Sequence, residues 1–302
     1  MKIHRWVRVT LWSLLVVVLL VGMTFGGIYW YFHPAYERSS RIVYAQRHGH
    51  DLTLEVIRPK QPNNLGVIFL VSGGWKSDPS AIEPLYVAAL LRHGYTVFAV
   101  SHLSQPKATV MEIVEDVNRS VRFIRHHAQE YRVKPDQLGV MGGSAGGHLS
   151  LMLATRGGPG DPQATDPVDR ESSAVQAVAI FFPVTDLLNL GKSTENPGEG
   201  GPPIHFVSAF GPQATNLPVW KQIGHNLSPI YYATSNLPPT LILHGDADTL
   251  VPLDQSQRFQ ARAQEMGGHV EVVVFPGKPH GWTTMIWDLR QCADWFDRYL
   301  KR

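Results

Sequence analysis

The 302-residue sequence predicts an α/β fold: a mostly parallel central sheet with helices on both faces, preceded by one N-terminal transmembrane helix. Three observations carry this. Short apolar runs alternate with longer segments of helical periodicity, the pattern of strand–helix–strand units. Several runs are apolar throughout, as strands covered on both faces are. Residues 9–32, VTLWSLLVVVLLVGMTFGGIYWYF, carry no charge.

At ~1.5 Å per residue a helix over residues 9–32 reaches roughly 36 Å, enough to cross a bilayer core of about 30 Å. Lys2, Arg5 and Arg8 precede it, and Tyr29, Trp30, Tyr31 and Phe32 crowd its far end like an interfacial aromatic belt. A cleaved signal peptide would have a shorter apolar core and a small-x-small site, for which Gly22-Met23-Thr24 is a poor match. A retained signal anchor over 1–32 is therefore expected, with its basic end in the cytoplasm and the rest exported; secretion after cleavage is the alternative. Residues 33–40 read as a polar tether.

The remainder, 41–302, reads as one catalytic domain. Residues 41–59 predict a hairpin turning at His48-Gly49. GVIFLVSGGW, 66–75, is a buried strand running into glycines, and 81–94 a helix. Strand 95–102 follows. The spacing of Val110, Val114, Val117, Val121, Ile124 and Ala128 draws one helical face over 110–128. QLGVMG is a strand and AGGHLSLMLATR a helix. Strands are expected at 175–184, 239–245 and 269–277, with helices at 253–266 and 284–301. Residues 156–172 and 191–204, rich in Gly, Pro, Asp and Ser, break the rhythm as loops. A small cap is expected around 191–236.

Composition narrows the function. An apolar content of 44% and a charged content of 17% fit a domain with a sizeable core. A net charge of +2 gives no electrostatic footprint for nucleic acid. The single cysteine, Cys292, leaves no internal disulfide.

The chemistry concentrates in GVMGGSAGGHLSL, 139–151. Gly142-Gly143-Ser144-Ala145-Gly146 is G-x-S-x-G between a predicted strand and a predicted helix. That setting puts a serine hydroxyl on a sharp turn at the sheet's carboxyl edge, with glycines letting strand and helix approach. The helix N-terminus faces charge developing beside the serine. A serine at its ordinary acidity needs a base, and the base needs an orienting acid. His280 follows the last strand and Asp248 the one before it. The order Ser, Asp, His is that of an α/β-hydrolase sheet, and all three lie at carboxyl ends of strands.

From about residue 41 onward the chain resembles α/β-hydrolases of the esterase/lipase type. The similarity points to the branch containing bacterial carbohydrate acetyl- and feruloyl-esterase-like proteins. SGGW (72–75), GGSAGG (142–147), FPVTDL (182–187), SPIYYA (228–233), LPPTLILHGDADTLVP (237–252) and HGW (280–282) carry it. The resemblance implies that the triad acid is Asp248 and that Asp246 stabilises the loop. It implies an oxyanion hole of backbone amides from Ala145 and the loop Gly73, Gly74, Trp75, with Gly74 and Trp75 donating and Gly73 making the turn. Two departures stand out: Ser72 occupies the place of a loop-bracing histidine, and VSHL (100–103) that of a Tyr-Arg-Leu segment.

Other residues have plainer readings. His148 is expected to pack rather than contact substrate, and Asp186 to hold a loop. Trp75 and Trp282 could flank the pocket or simply pack. His48, His50, His126 and His127 lack the carboxylate or cysteine company of a metal site. No cofactor or metal is expected. The expected function is hydrolysis of carboxylic esters, of small to medium acyl groups carried on carbohydrates or other alcohols, through an acyl-enzyme. An exopeptidase or amidase of the prolyl-oligopeptidase-like type is the alternative, and a non-catalytic anchored binding protein the third reading. Oligomeric state is not legible.

Overall fold

In the computed structural model residues 2–301 are described, with side chains from Trp6 onward except Arg8. The chain begins with helix α1, Lys2–Phe32. Its segment Val9–Phe32 has a mean hydropathy of 2.3 and is exposed along its length until Tyr31 and Phe32, where it meets the domain. It is thus long and apolar enough to cross a membrane. The side chains of Lys2, Arg5 and Arg8, on which the expected orientation rests, lie outside the described residues.

The sheet is built from nine strands: β1 (Tyr36–Arg38), β2 (Ile42–Arg47), β3 (His50–Pro59), β4 (Gly66–Leu70), β5 (Thr96–Val100), β6 (Leu138–Gly143), β7 (Ala177–Phe181), β8 (Thr240–Gly245) and β9 (Val270–Phe275). Its order is β1-β3-β5-β4-β6-β7-β8-β9, with β2 also on β3. Strands β5 through β9 and β4 pair in parallel, while β3 joins β1, β2 and β5 antiparallel.

Helices α2 (Ala88–Arg92), α3 (Val110–His126), α4 (Ala145–Arg156), α5 (Leu217–Asn226), α6 (Asp254–Glu265) and α7 (Met285–Leu300) complete the chain. The two faces of the sheet separate with the two-residue period of a strand. Phe98 and Val100 of β5 and Val178 and Ile180 of β7 pack in one core, with Val117 and Val121 of α3, Leu149 of α4 and Phe259 of α6. Val97, Ala99, Ala177 and Ala179 face the other, under Leu90 of α2 and Phe296 of α7. Helix α3 begins where its capping box dictates: Thr109 Oγ1 accepts from the Glu112 amide and the Glu112 carboxylate from Thr109.

Three expectations are corrected. Residues 33–40 are not merely a tether: Tyr36–Arg38 pairs with Ile57–Pro59 and satisfies that edge of β3. Strand β4 stops at Leu70 rather than running to Trp75, and the chain beyond it turns between Gly73 and Lys76, which bond each other. The expected helix 81–94 shortens to α2, with 3₁₀ turns at Pro79–Ala81 and Pro84–Val87 before it. Pro84 is the cause: the residue before a proline avoids helical angles, and Glu83 is extended at φ −92°, ψ 128°. The region expected as a cap holds a 3₁₀ segment, Ile204–Phe210, then α5 and a 3₁₀ turn at Pro229–Tyr232.

From β4 the chain crosses to β5 on one side and returns to β6 on the other. That reversal opens a crevice beyond the carboxyl ends of β4 and β6, where α/β sheets hold ligands.

Candidate active site

Ser144 occupies the single residue between β6 and α4, at φ 54°, ψ −118°. A non-glycine residue there stores strain on the order of 1–3 kcal/mol. Surrounding bonds hold it: the Ser144 amide donates to the Phe181 carbonyl at 3.0 Å and the Gly146 amide to the Ser72 carbonyl at 3.1 Å. The flanking glycines are required by close approach. A Cβ on Gly142 would stand 2.6 Å from the Gly146 backbone, and one on Gly146 2.6 Å from the Leu70 carbonyl oxygen.

His280 lies on the loop after β9. Its Nδ1 is 2.7 Å from Asp248 Oδ2 and its Nε2 is 2.9 Å from Ser144 Oγ. A carboxylate only accepts, so Nδ1 carries the hydrogen and Nε2 accepts from the serine hydroxyl. The ring leans on Phe182, with centroids 4.4 Å apart. Asp248 sits on the loop after β8, where its Oδ1 accepts from the Leu250 and Val251 amides at 3.0 and 2.9 Å. Burial raises its pKa, but hydrogen bonds from His244, His280 and the Val251 amide outweigh it and bring the carboxyl down to about 2. Asp246 instead accepts from the Gly277 amide at 2.6 Å, tying the β8 and β9 loops together.

His244, singled out by no sequence argument, stands behind this pair. It is fully buried; Nε2 donates to the Val251 carbonyl at 2.7 Å and lies 3.4 Å from Asp248 Oδ2, while Nδ1 accepts from Ser256 Oγ at 2.7 Å. Its place in LHGDAD was the available signal.

The glycine loop folds as a tight turn. Gly73 and Lys76 exchange both backbone hydrogen bonds at 2.9 Å, and Gly74 and Trp75 between them take φ +55° and +56°. The Gly73 amide, counted with the expected oxyanion group, is therefore spent on the turn. Among the described residues the amides of Gly74, Trp75 and Ala145 have no protein acceptor. Gly74, Trp75, Ser144 and Ala145 line one pocket, walled further by Val184, Leu187, Leu190, Glu195, Phe206 and Val251. The region expected as a cap thus supplies part of the wall.

Trp282 is buried among Phe181, Phe182 and Phe275, and its indole donates to Asp288, so it packs rather than flanks the pocket. Asp186 holds a loop, accepting from the Leu188 and Asn189 amides and from Arg258. His148 is fully buried and bonded to Trp75. Among the described residues no cluster of three or more His, Cys, Asp or Glu side chains is set to hold a metal ion.

Comparison with known proteins places the chain in a family. The family described as BD-FAE matches residues 54–263. The esterase LipQ of Mycobacterium tuberculosis is 31% identical over 60% of this chain and 41% of its own. A probable isoprenylcysteine alpha-carbonyl methylesterase of Arabidopsis thaliana is 24% identical over 92% of this chain and 58% of its own. The chain therefore spans about half the length of the curated relatives it matches. Among solved structures, a truncated carbohydrate esterase from gut microbiota shares the fold (TM-score 0.72, 23% identity, 89% of this chain and 99% of that one). Esterase 2 of Thermogutta terrifontis, solved phosphonylated by sarin, is 25% identical with a TM-score of 0.67, over 86% of this chain and 94% of that one.

Proposed function

The chain belongs to the BD-FAE family, and from that premise we propose that it is a serine hydrolase cleaving carboxylic esters of short acyl groups. The observation that carries the reading is the hydrogen-bonded series Asp248–His280–Ser144 ending at a pocket lined by unengaged backbone amides. Ser144 Oγ attacks the acyl carbon as its proton passes to His280 Nε2. Asp248, ionised, holds the Nδ1 hydrogen and balances the imidazolium. The tetrahedral oxyanion is met by the amides of Gly74, Trp75 and Ala145, fixed before the charge develops. Collapse expels the alcohol, which takes the proton from Nε2. Water, deprotonated by His280, then releases the acid and restores Ser144.

The pocket's size supports a short acyl group. It is a cavity of about 70 Å³ walled by the apolar side chains of Val184, Leu187, Leu190, Phe206 and Val251. Esterases appear among both relatives and structural neighbours, including an esterase bound to propionate. A carbohydrate as the alcohol portion is the substrate class suggested by the gut-microbiota neighbour. The test is turnover of p-nitrophenyl acetate and butyrate by the full chain in detergent, against Ser144→Ala. Loss of activity in the variant is expected, and equal rates would refute the reading.

Helix α1 is proposed as a signal anchor holding the domain against the outer face of a membrane. Its exposed apolar surface would be costly in water. Its last turn docks on the domain: the Arg92 guanidinium lies 3.7 Å from the Trp30 ring centre, and Phe32 meets Trp287 edge-on at 4.5 Å. A reporter active only outside the cytoplasm, fused after Arg302, should be active; an inactive fusion would reverse the orientation.

A further inference from the structure

Trp75 is an unusual residue to place at φ +56°, directly after Gly74 at +55°. A left-handed conformation is unfavourable for a side-chain-bearing residue, so something must hold it. The indole is 3% exposed. It is wedged edge-on among the rings of His148, Phe206 and Phe210, at 5.6, 5.5 and 5.3 Å between centres. Its single polar group, Nε1–H, donates to His148 Nδ1 at 3.1 Å.

We infer that His148 is a positioning residue for the oxyanion loop, acting through the Trp75 indole; the inference rests on the esterase reading above. Chemistry at both ends of the imidazole dictates its state. An indole N–H only donates, so Nδ1 must be bare. Nε2 faces the Leu227 carbonyl at 2.7 Å, which only accepts, so Nε2 must carry the hydrogen. A protonated ring would present a hydrogen to a hydrogen and lose the indole. Burial supports the neutral form, bringing the pKa down to about 4.

The position of His148 explains what the bond achieves. It lies in the first turn of α4, its amide donating to the Ser144 carbonyl at 2.9 Å. The same helix begins at Ala145, the source of one oxyanion amide. Through His148 the helix behind Ser144, the loop carrying the Gly74 and Trp75 amides, and Leu227 at the end of α5 become one strut. His148 is fully buried and both its ring nitrogens are engaged, by Trp75 and by Leu227, so it has no group to offer a substrate. It therefore acts on the reaction through the groups it holds in place.

The test uses the full chain in detergent with p-nitrophenyl butyrate, comparing His148→Leu, Trp75→Phe, their double variant and His148→Gln. Each of the first two removes one side of the bond while leaving the loop's backbone amides in place. Each should lower kcat on the order of 10- to 100-fold, up to the cost of a misplacement of about 1 Å and short of the roughly 10²- to 10³-fold loss of an oxyanion donor outright, with KM little changed. Members of one strut are not additive, so the double variant should be no worse than the poorer single. His148→Gln, whose carboxamide can accept from the indole and donate to Leu227, should recover most of kcat. If His148→Leu fails to fold, Trp75→Phe and His148→Gln carry the same comparison. Additive losses, or a glutamine variant no better than leucine, would overturn the inference. Hydrogen exchange at the Gly73 and Lys76 amides reads the loop without catalysis. Faster exchange in His148→Leu beside a wild type as inactive as Ser144→Ala would refute the esterase reading and leave the strut standing. Unchanged exchange and unchanged kcat would overturn the strut alone.

Discussion

Ser72 Oγ lies 2.8 Å from His102 Nε2, and the bond runs in one direction only. His102 Nδ1 faces the Leu103 carbonyl at 3.0 Å and so carries the ring's hydrogen. Nε2 therefore accepts, and the serine hydroxyl donates. The resemblance expects a histidine at position 72 and a Tyr-Arg-Leu segment at the end of β5; here the imidazole comes instead from beyond β5 and meets a serine at the start of the glycine loop. The two departures are thus one exchange, and the loop keeps a brace.

Removing that brace should be measurable. His102→Ala leaves the Ser72 hydroxyl without its acceptor and empties a buried site, at a cost of about 1–3 kcal/mol. Ser72→Ala should cost about 1 kcal/mol, since only one neutral hydrogen bond is lost. Urea unfolding of the full chain in detergent compares them. A His102→Ala variant as stable as wild type would remove the brace from the account.

Asp248 and Asp246 stand two residues apart but have separate partners, the imidazole of His280 and the amide of Gly277. Asp248→Asn can turn its amide toward His280 and force the wrong tautomer, which should lower kcat by roughly 10³- to 10⁴-fold. Asp246→Asn keeps an oxygen for Gly277 and should stay within about threefold of wild type. Ester turnover by the two variants separates the roles, and the reverse ranking would exchange them.

The glycines around Ser144 should differ in tolerance. Gly146→Ala places a methyl group 2.6 Å from the Leu70 carbonyl oxygen, where only backbone could yield. At Gly143 the nearest atoms would be Phe182 ring carbons at 3.5 Å and beyond, an ordinary contact. Gly146→Ala is expected to fold poorly or lose several kcal/mol, and Gly143→Ala to cost less than about 1 kcal/mol. Melting midpoints of equal height would contradict this.

Two buried histidines should make stability fall on acidification from about pH 6.5, against an opposing gain from Asp116, whose carboxyl burial pushes up to about 6 and which the folded chain therefore protonates first. His102 and His148 have ordinary values of 6.5, and burial brings both down to about 4. Between those values the unfolded chain binds protons that the folded chain refuses, so stability falls as pH falls through the window. Above about 6.5 both states are neutral and the contribution is constant. Each histidine accounts for a loss on the order of 3 kcal/mol. Asp248, depressed to about 2, adds its own loss only below about 4. Unfolding free energies at pH 7.5 and 4.5 check this, and His148→Gln should show the shallower dependence. A wild type and a His148→Gln variant with the same pH dependence would mean that the His148 imidazole is solvated.

Much of the molecule is legible in one dimension because its signals are local. The apolar face of α3, the G-x-S-x-G turn between β6 and α4, and the apolar run of α1 are each set by neighbouring residues. The strand–helix alternation then puts Ser144, Asp248 and His280 at one edge of one sheet, since parallel strands share a carboxyl end.

Tertiary structure decided what depends on partners far apart in the chain. Ser72 meets His102 across 30 residues and Trp75 meets His148 across 73, and no spacing rule connects them. The engagement of the Gly73 amide, the pairing of Tyr36–Arg38 with β3 and the packing of Trp282 are of the same kind. A side chain's type states what it can donate or accept; only the packed chain determines which group faces it, and so whether a histidine relays a proton, braces a loop or fills a core.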